Sequence, residues 1–96
     1  MPIGNIPLDP DVADTAPIDD ALTPYDIEHA VTYARLLDAD AEGADWREVS
    51  KIVLHIDPEM DLTRAQLAHQ SHLARAKWMA HTGYRHLLRG DIPSLN

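Results

Sequence analysis

The chain has 96 residues and no cysteine, and its sixteen Asp and Glu outnumber eight Lys and Arg, giving a net charge of −8 at pH 7. A chain of this length forms one domain with a small core, which no disulfide can reinforce. No apolar run approaches the ~20 residues of a membrane span, and no secretory signal is recognisable. These features exclude membrane-spanning and disulfide-framework proteins, and we expect a soluble cytoplasmic protein.

Residues 1–22 are predicted to form a disordered acidic tail. They contain five Asp, four of the seven Pro and no Lys or Arg, and they show no sustained hydrophobic period. The tail is interpreted either as a solvated leader without a role or as an acidic arm that screens a basic surface. Deletion of residues 1–20 is expected to leave the fold intact.

The first helix is predicted from Thr23 to just before Gly43. Thr23 can cap it, proline at position 24 suits the first turn, and Asp26 stands where a capping box needs its second member. Its apolar face comprises Ile27, Ala30, Val31, Ala34, Leu37 and Ala41.

The second helix is predicted to begin at Asp45, with Glu48 completing another capping box, and to end before Pro58. Its buried stripe is expected to contain Trp46, Val49, Ile52 and Val53.

The third helix is predicted from Thr63 to about Thr82, just before Gly83. Two apolar stripes indicate a central helix packed from both sides. One stripe holds Leu67, Ala74 and Trp78, and the other holds Leu73, Ala76 and Ala80.

Helical turns after Gly83 are expected to close the core, and nothing in the sequence indicates a strand. The predicted fold class is therefore all-α, with a helical domain over residues 23–90 and a short C-terminal tail over residues 91–96. The predicted core contains Ile27, Val31, Trp46, Val49, Ile52, Leu67, Leu73, Trp78, Tyr84 and Leu87.

The second and third helices follow each other in the order of a helix-turn-helix. The usual connection has three or four residues, whereas residues 55–62 supply a longer one, which predicts an extended-turn variant. The outer face of the third helix would then carry Arg64, Ala68, Ser71, His72 and Arg75 as a vestigial recognition face, which has the position of a recognition helix but no longer its function.

Three blocks of sequence, "DWREVSKIVLHIDP", "LARAKWM" and "GYRHLLRG", resemble the helical domain at the C-terminus of FseA-type activators of integrative and conjugative elements. The same domain occurs almost alone in QseM-type antiactivators. The resemblance spans about residues 23–90 and implies DNA binding through one surface and contact with a partner domain through another. The free-standing antiactivator is the expected form, with no activator domain before residues 23–96, because these residues hold eleven acids against eight bases.

The leading hypothesis is an antiactivator that silences a transcriptional activator of conjugative transfer by protein–protein contact, as a competitive decoy. The resemblance implies an FseA-type activator as target, with a TraR-type quorum-sensing regulator as a second. DNA is not expected as a partner, because residues 23–61 carry ten acids and only three bases, and the excess of carboxylates would repel phosphates. The alternatives are a DNA-binding regulator that reads DNA through residues 63–82 and a generic helical adaptor.

The partner-binding surface is expected among apolar residues outside the helical stripes, namely Tyr33, Leu36, Leu54 and Met79. A charge introduced at Leu36 should weaken a decoy complex, whereas DNA binding should depend on Arg75 and fall steeply with salt.

Metal binding and catalysis have little support in the sequence. His69 and His72 could share a metal, but no third ligand stands at a diagnostic spacing. Asp57, Glu59 and Asp61 resemble part of a calcium loop without its glycine and terminal glutamate, so turn and cap roles are favoured. We expect neither enzymatic activity nor a cofactor, metal or small-molecule ligand.

Overall fold

The structure, a computed structural model, describes residues 7–83. Four α-helices follow one another in this range: α1 (Pro24–Glu28), α2 (Ala30–Ala41), α3 (Trp46–Ile52) and α4 (Leu62–Trp78). A π-helical turn, Met79–Gly83, follows α4. The described part of the chain contains no strand, which confirms the predicted helical class over residues 7–83.

The predicted first helix is two helices that meet at His29. The capping box is confirmed, because the Thr23 hydroxyl accepts from the Asp26 amide and the Asp26 carboxylate accepts from the Thr23 amide. Gly43 follows α2 with a φ of 70°, a left-handed conformation that glycine adopts without strain. The two ends of the predicted helix are therefore correct, while the break inside it was not foreseen.

The α3 helix is shorter than predicted because the chain turns after Ile52 and returns to Ser50. Asp45 caps its start, as predicted, by accepting from the Arg47 amide. At its end the Ser50 hydroxyl donates to the Ile56 carbonyl at 2.8 Å, and the Ile56 amide donates to the Ser50 carbonyl at 3.1 Å. His55 reaches a φ of 62° in this turn. The helix consequently ends at Ile52, well before Pro58.

The α4 helix is the centre of the fold, since α2 and α3 both pack against it. Its cap is Asp61, whose carboxylate accepts from the Arg64 amide, and not the predicted Thr63. The main apolar core is built from all three longer helices and the turn after α3, and comprises Tyr33, Leu36, Val49, Val53, Leu54, Ile56, Ala65, Ala68 and Ala76.

The predicted core is correct only in part. Val49 is buried, while Ile27, Val31, Trp46, Leu73 and Trp78 are only partly buried. Ile52 and Leu67 are 58% and 48% exposed, so their assignment to the core is wrong. Predictions for Tyr84, Leu87 and residues 91–96 lie outside the described residues.

The inward face of α2 is also different from the prediction. Ala34 and Ala41 are exposed, whereas Thr32, Tyr33 and Leu36 are buried. The reason is that α2 packs on a core containing polar groups, which hydrophobic periodicity counts as surface.

Candidate functional site: the α4 face beneath the N-terminal segment

The residues that precede α1 lie against α4. Ala16 and Leu22 are 6% and 8% exposed, so this stretch joins the folded part of the protein. The prediction of a disordered tail is therefore wrong for residues 11–22, which we call the N-terminal segment. Its apolar content is too sparse to show a period, and backbone hydrogen bonds rather than an apolar stripe hold it in place.

Three residues along one side of α4 hold the N-terminal segment. Arg64 Nε donates to Asp14 Oδ1 at 2.7 Å, and Ser71 Oγ accepts from the Ala16 amide at 3.0 Å. Arg75 donates to two backbone carbonyls, from Nη1 to Asp19 at 2.6 Å and from Nη2 to Ala21 at 2.9 Å. These residues are spaced so that they share one side of the helix, and the segment runs along it.

A buried ion pair anchors the same side of α4 to α1. Arg75 Nη2 lies 2.6 Å from Asp26 Oδ2 and Arg75 Nε lies 2.9 Å from Asp26 Oδ1, a two-point arrangement that suits a guanidinium and a carboxylate. The side chains are 4% and 0% exposed. The Tyr33 hydroxyl also donates to Asp26 Oδ1, at 2.8 Å. The Arg75 guanidinium stacks over Trp78, 3.8 Å from the ring centroid.

The directions of the pKa shifts show which protonation states of Asp26 and Tyr33 are favoured beside Arg75. Burial alone would raise the pKa of Asp26, but hydrogen bonds from Arg75, Thr23 and Tyr33 outweigh it and hold that pKa below its ordinary value. Burial, reinforced by the neighbouring Asp26 carboxylate, raises the pKa of Tyr33. Asp26 is consequently ionised and Tyr33 neutral near pH 7, which matches the donor and acceptor roles of their hydrogen bond.

A second chain of hydrogen bonds, exposed at Ala13 and buried at His72, joins the segment, α1 and α4. The Ala13 amide donates to the Tyr25 hydroxyl at 3.0 Å, and that hydroxyl lies 2.6 Å from His72 Nε2. His72 Nδ1 lies 2.8 Å from the Ala68 carbonyl, which can only accept, so Nε2 accepts from Tyr25 in the neutral ring. Burial lowers the pKa of His72, in agreement with a neutral imidazole.

His29 occupies the break between α1 and α2. Its Nδ1 lies 2.8 Å from the Tyr25 carbonyl and its Nε2 lies 2.7 Å from the Asp11 carbonyl, and the ring stacks on Tyr25. A neutral imidazole donates to one of these carbonyls, and an imidazolium donates to both. His29 therefore ties the start of the N-terminal segment to the same buried network.

Most residues of the predicted recognition face are buried or partly buried. Ala68 and His72 are fully buried, Arg75 is 4% exposed and Ser71 is partly buried beneath Ala16. Only Arg64 is exposed, and its side chain is paired with Asp14. The prediction that these residues form an outer face is wrong because the side of α4 that carries them packs against α1, α2 and the segment.

The predicted partner anchors do not lie at the surface. Tyr33, Leu36 and Leu54 are 2%, 1% and 1% exposed, and Met79 is partly buried against the core. The expectation of exposed anchors is therefore wrong for the first three. For α2, the hydrophobic pattern of the sequence placed the core on the face next to the one that carries Tyr33 and Leu36.

The two groups of residues that were weighed from the sequence as metal sites, a pair of histidines and an acidic turn, have other interactions in the structure. His69 packs against Trp46, with ring centroids 6.0 Å apart, while His72 is bonded to Tyr25 and Ala68. Asp57 accepts from the Glu59 amide and Asp61 caps α4, which are the turn and cap roles favoured for them. Within residues 7–83 no group of three or more His, Cys, Asp or Glu side chains is placed to hold a metal ion.

The buried polar groups of residues 7–83 are satisfied by one another, since none of their side-chain nitrogen or oxygen atoms lacks a hydrogen-bond partner. Such a network stabilises one arrangement of the segment and helices. From the sequence, Asp26 is recognisable only as a helix cap, and no local signal indicates that its carboxylate pairs with Arg75.

No protein-family model matches the chain, and no curated protein matches it. None of the helices in the described range is both long and apolar enough to cross a membrane.

Proposed function

We propose that the protein is an antiactivator, which binds a transcriptional activator by protein–protein contact and so blocks expression of genes for excision and transfer of a conjugative element. The resemblance of three sequence blocks to FseA-type and QseM-type proteins suggests the targets, an FseA-type activator and a TraR-type quorum-sensing regulator. The observation that carries the proposal is the occupied side of α4, where Arg64 and Arg75 are paired with the chain's own carboxylates.

Charge supports a protein partner over DNA. A DNA-binding helix gains affinity by pairing its Arg and Lys with phosphates and releasing counterions. On α4, Arg75 is paired with Asp26 and Arg64 with Asp14, so phosphates would have to compete with these contacts. The ten acids of residues 23–61 and the five of residues 1–22 add repulsion.

The test compares affinity of the purified protein for an FseA-type activator, a TraR-type regulator and promoter DNA at moderate salt. We expect a complex with the activator and none with the DNA. Salt-sensitive binding of DNA without an activator complex would overturn the proposal and favour a DNA-binding regulator.

Arg64→Ala is the variant that separates the two outcomes. Arg75, chosen for this purpose from the sequence, is unsuitable because it is buried and its loss would disturb the fold. Arg64 is exposed, so Arg64→Ala leaves the core intact. An antiactivator should keep its activator affinity in this variant, whereas a DNA-binding protein should lose DNA affinity and show a smaller salt dependence.

A further inference from the structure

A cleft of about 240 Å³ lies between the N-terminal segment and the outer side of α4. Pro17, Ile18, Asp19 and Asp20 line it on one side, and Ala74 and Trp78 line it on the other. We call this surface the Ile18 cleft. None of the interactions that fix the segment uses the side chains of Ile18 or Ala74, which are both exposed.

Ile18 is displayed by a backbone that is fixed on both sides. Its side chain is 94% exposed. Two residues earlier the Ala16 amide donates to Ser71, and one residue later the Asp19 carbonyl accepts from Arg75. An exposed isoleucine by itself is ordinary. Here, however, a partner would gain apolar contact without having to order the loop, which lowers the entropic cost of binding.

The charge of the cleft is negative. The carboxylates of Asp19 and Asp20 are exposed at its edge. Arg75 also contacts the cleft, but it is 4% exposed and its charge is balanced by Asp26 at 2.6 Å. A basic side chain could therefore lay its aliphatic stem on Ala74 and Trp78 and place its charged head beside the two carboxylates.

We propose that the Ile18 cleft binds a protein segment that presents an apolar side chain to Ile18 and a lysine or arginine to Asp19 and Asp20. The proposal rests on the proposed function and deepens it, because the segment belongs to the regulator that the protein silences. A nucleic acid is disfavoured by the carboxylates. A small cation bound to the carboxylates would leave Ile18 exposed to water. A protein segment with one apolar and one basic side chain would contact both Ile18 and the carboxylates.

The experiment measures affinity for the purified activator by calorimetry in two cleft variants. Ile18→Glu and the double variant Asp19→Lys/Asp20→Lys should each weaken binding by at least about tenfold, as expected for a central anchor and its charged neighbours. Ile18→Glu should melt at the temperature of the unsubstituted protein, since the side chain is exposed. The double lysine variant should melt slightly lower, because the Asp19 carboxylate also attracts the Arg75 guanidinium, and its binding is therefore measured well below the melting transition.

Matched controls carry the same chemical changes elsewhere. Leu8→Glu introduces a carboxylate at a residue that is 72% exposed and outside the cleft. Asp38→Lys/Glu42→Lys reverses two exposed charges at the end of α2, which controls for long-range attraction. The affinity of these control variants for the activator should stay within about twofold of that of the unsubstituted protein, because salt screens the charges of exposed residues outside the cleft.

The outcomes separate this inference from the proposed function. If the activator binds and the cleft variants bind as tightly as their controls, the inference is overturned while the antiactivator function stands. If the activator does not bind, the antiactivator function falls, and a peptide probe decides the inference.

The probe is an acetylated Leu-Arg-Leu amide, compared with the same peptide carrying citrulline in place of arginine. Saturable NMR shifts of the Ile18 methyl and Trp78 indole signals, weaker with citrulline and lost in Ile18→Glu, are the expected result. Shifts that do not saturate, or that are equal for both peptides, would overturn the inference.

Discussion

Two arginines of α4 pair with aspartates at similar distances, yet their surroundings differ. Arg64 lies 2.7 Å from Asp14, with side chains 47% and 67% exposed. Arg75 lies 2.6 Å from Asp26, with side chains 4% and 0% exposed. Water and salt screen the first pair, whereas the second cannot lose one partner without leaving a buried charge. Burial, and not distance, therefore decides which pair holds the fold together.

The largest expected effect follows from breaking the buried pair. Arg75→Met leaves Asp26 buried without its cation and removes the donors to the backbone carbonyls of Asp19 and Ala21. We expect a loss of about 3–5 kcal/mol in the free energy of unfolding, measured by urea denaturation. Arg75→Met/Asp26→Leu should recover part of this loss because no charge is then left uncompensated. If Arg75→Met lowers the free energy of unfolding no more than breaking the exposed Arg64–Asp14 pair does, the two arginines do not differ in the way described.

A second contrast lies within the N-terminal segment. Leu22 is 8% exposed and Ile18 is 94% exposed. Leu22→Ala should lower the free energy of unfolding by about 2 kcal/mol or more, since it opens a cavity in packed surroundings. Ile18→Ala should change it by less than about 0.5 kcal/mol, because an exposed side chain has little to lose. Equal effects in thermal denaturation would show that the segment does not pack as described.

The free energy of unfolding should depend on pH through the protonation of His72. Because burial lowers its pKa in the folded protein, the unfolded chain binds the proton more readily. The contribution of His72 to stability is therefore retained above the ordinary histidine pKa of about 6.5 and lost as the pH falls below it. Denaturation at several pH values should show a smaller loss on acidification in His72→Gln than in the unsubstituted protein. Parallel profiles would contradict the buried neutral ring.

The exposed pair should give the smallest effect. A double-mutant cycle with Arg64→Ala and Asp14→Ala should yield a coupling of no more than about 1 kcal/mol, and added salt should reduce it. A larger coupling that salt does not change would mean that Asp14 is held as firmly as Asp26.

Three of the helix ends could be predicted from sequence because their signals are local, whereas the end of α3 and the cap of α4 could not. Thr23 with Asp26, Asp45 and Gly43 act through the backbone beside them, and each lies at the predicted helix end. The inward faces could not be predicted in the same way. The face of α4 that enters the interior includes His72 and Arg75, and a hydrophobic pattern assigns such residues to the surface.

The candidate site was the least predictable part. Asp26 and Arg75 are 49 residues apart in the chain, and Asp14 and Arg64 are 50 apart. Nothing in the local sequence indicates that either pair meets, and the N-terminal segment, which supplies Asp14, contains four Asp and has no hydrophobic period. The possibility that the acidic residues screen a basic surface was the interpretation closest to the arrangement found.

Amide hydrogen exchange at Ala16 tests most directly the central claim that the N-terminal segment covers one side of α4. The Ala16 amide donates to Ser71 Oγ and the residue is 6% exposed. We predict that this amide exchanges much more slowly than an unstructured one, and that Ser71→Ala accelerates its exchange while Ile18→Ala does not. Exchange at the rate of an unstructured peptide in the unsubstituted protein would contradict the claim, because the side of α4 that carries Arg64, Ser71 and Arg75 would then be open.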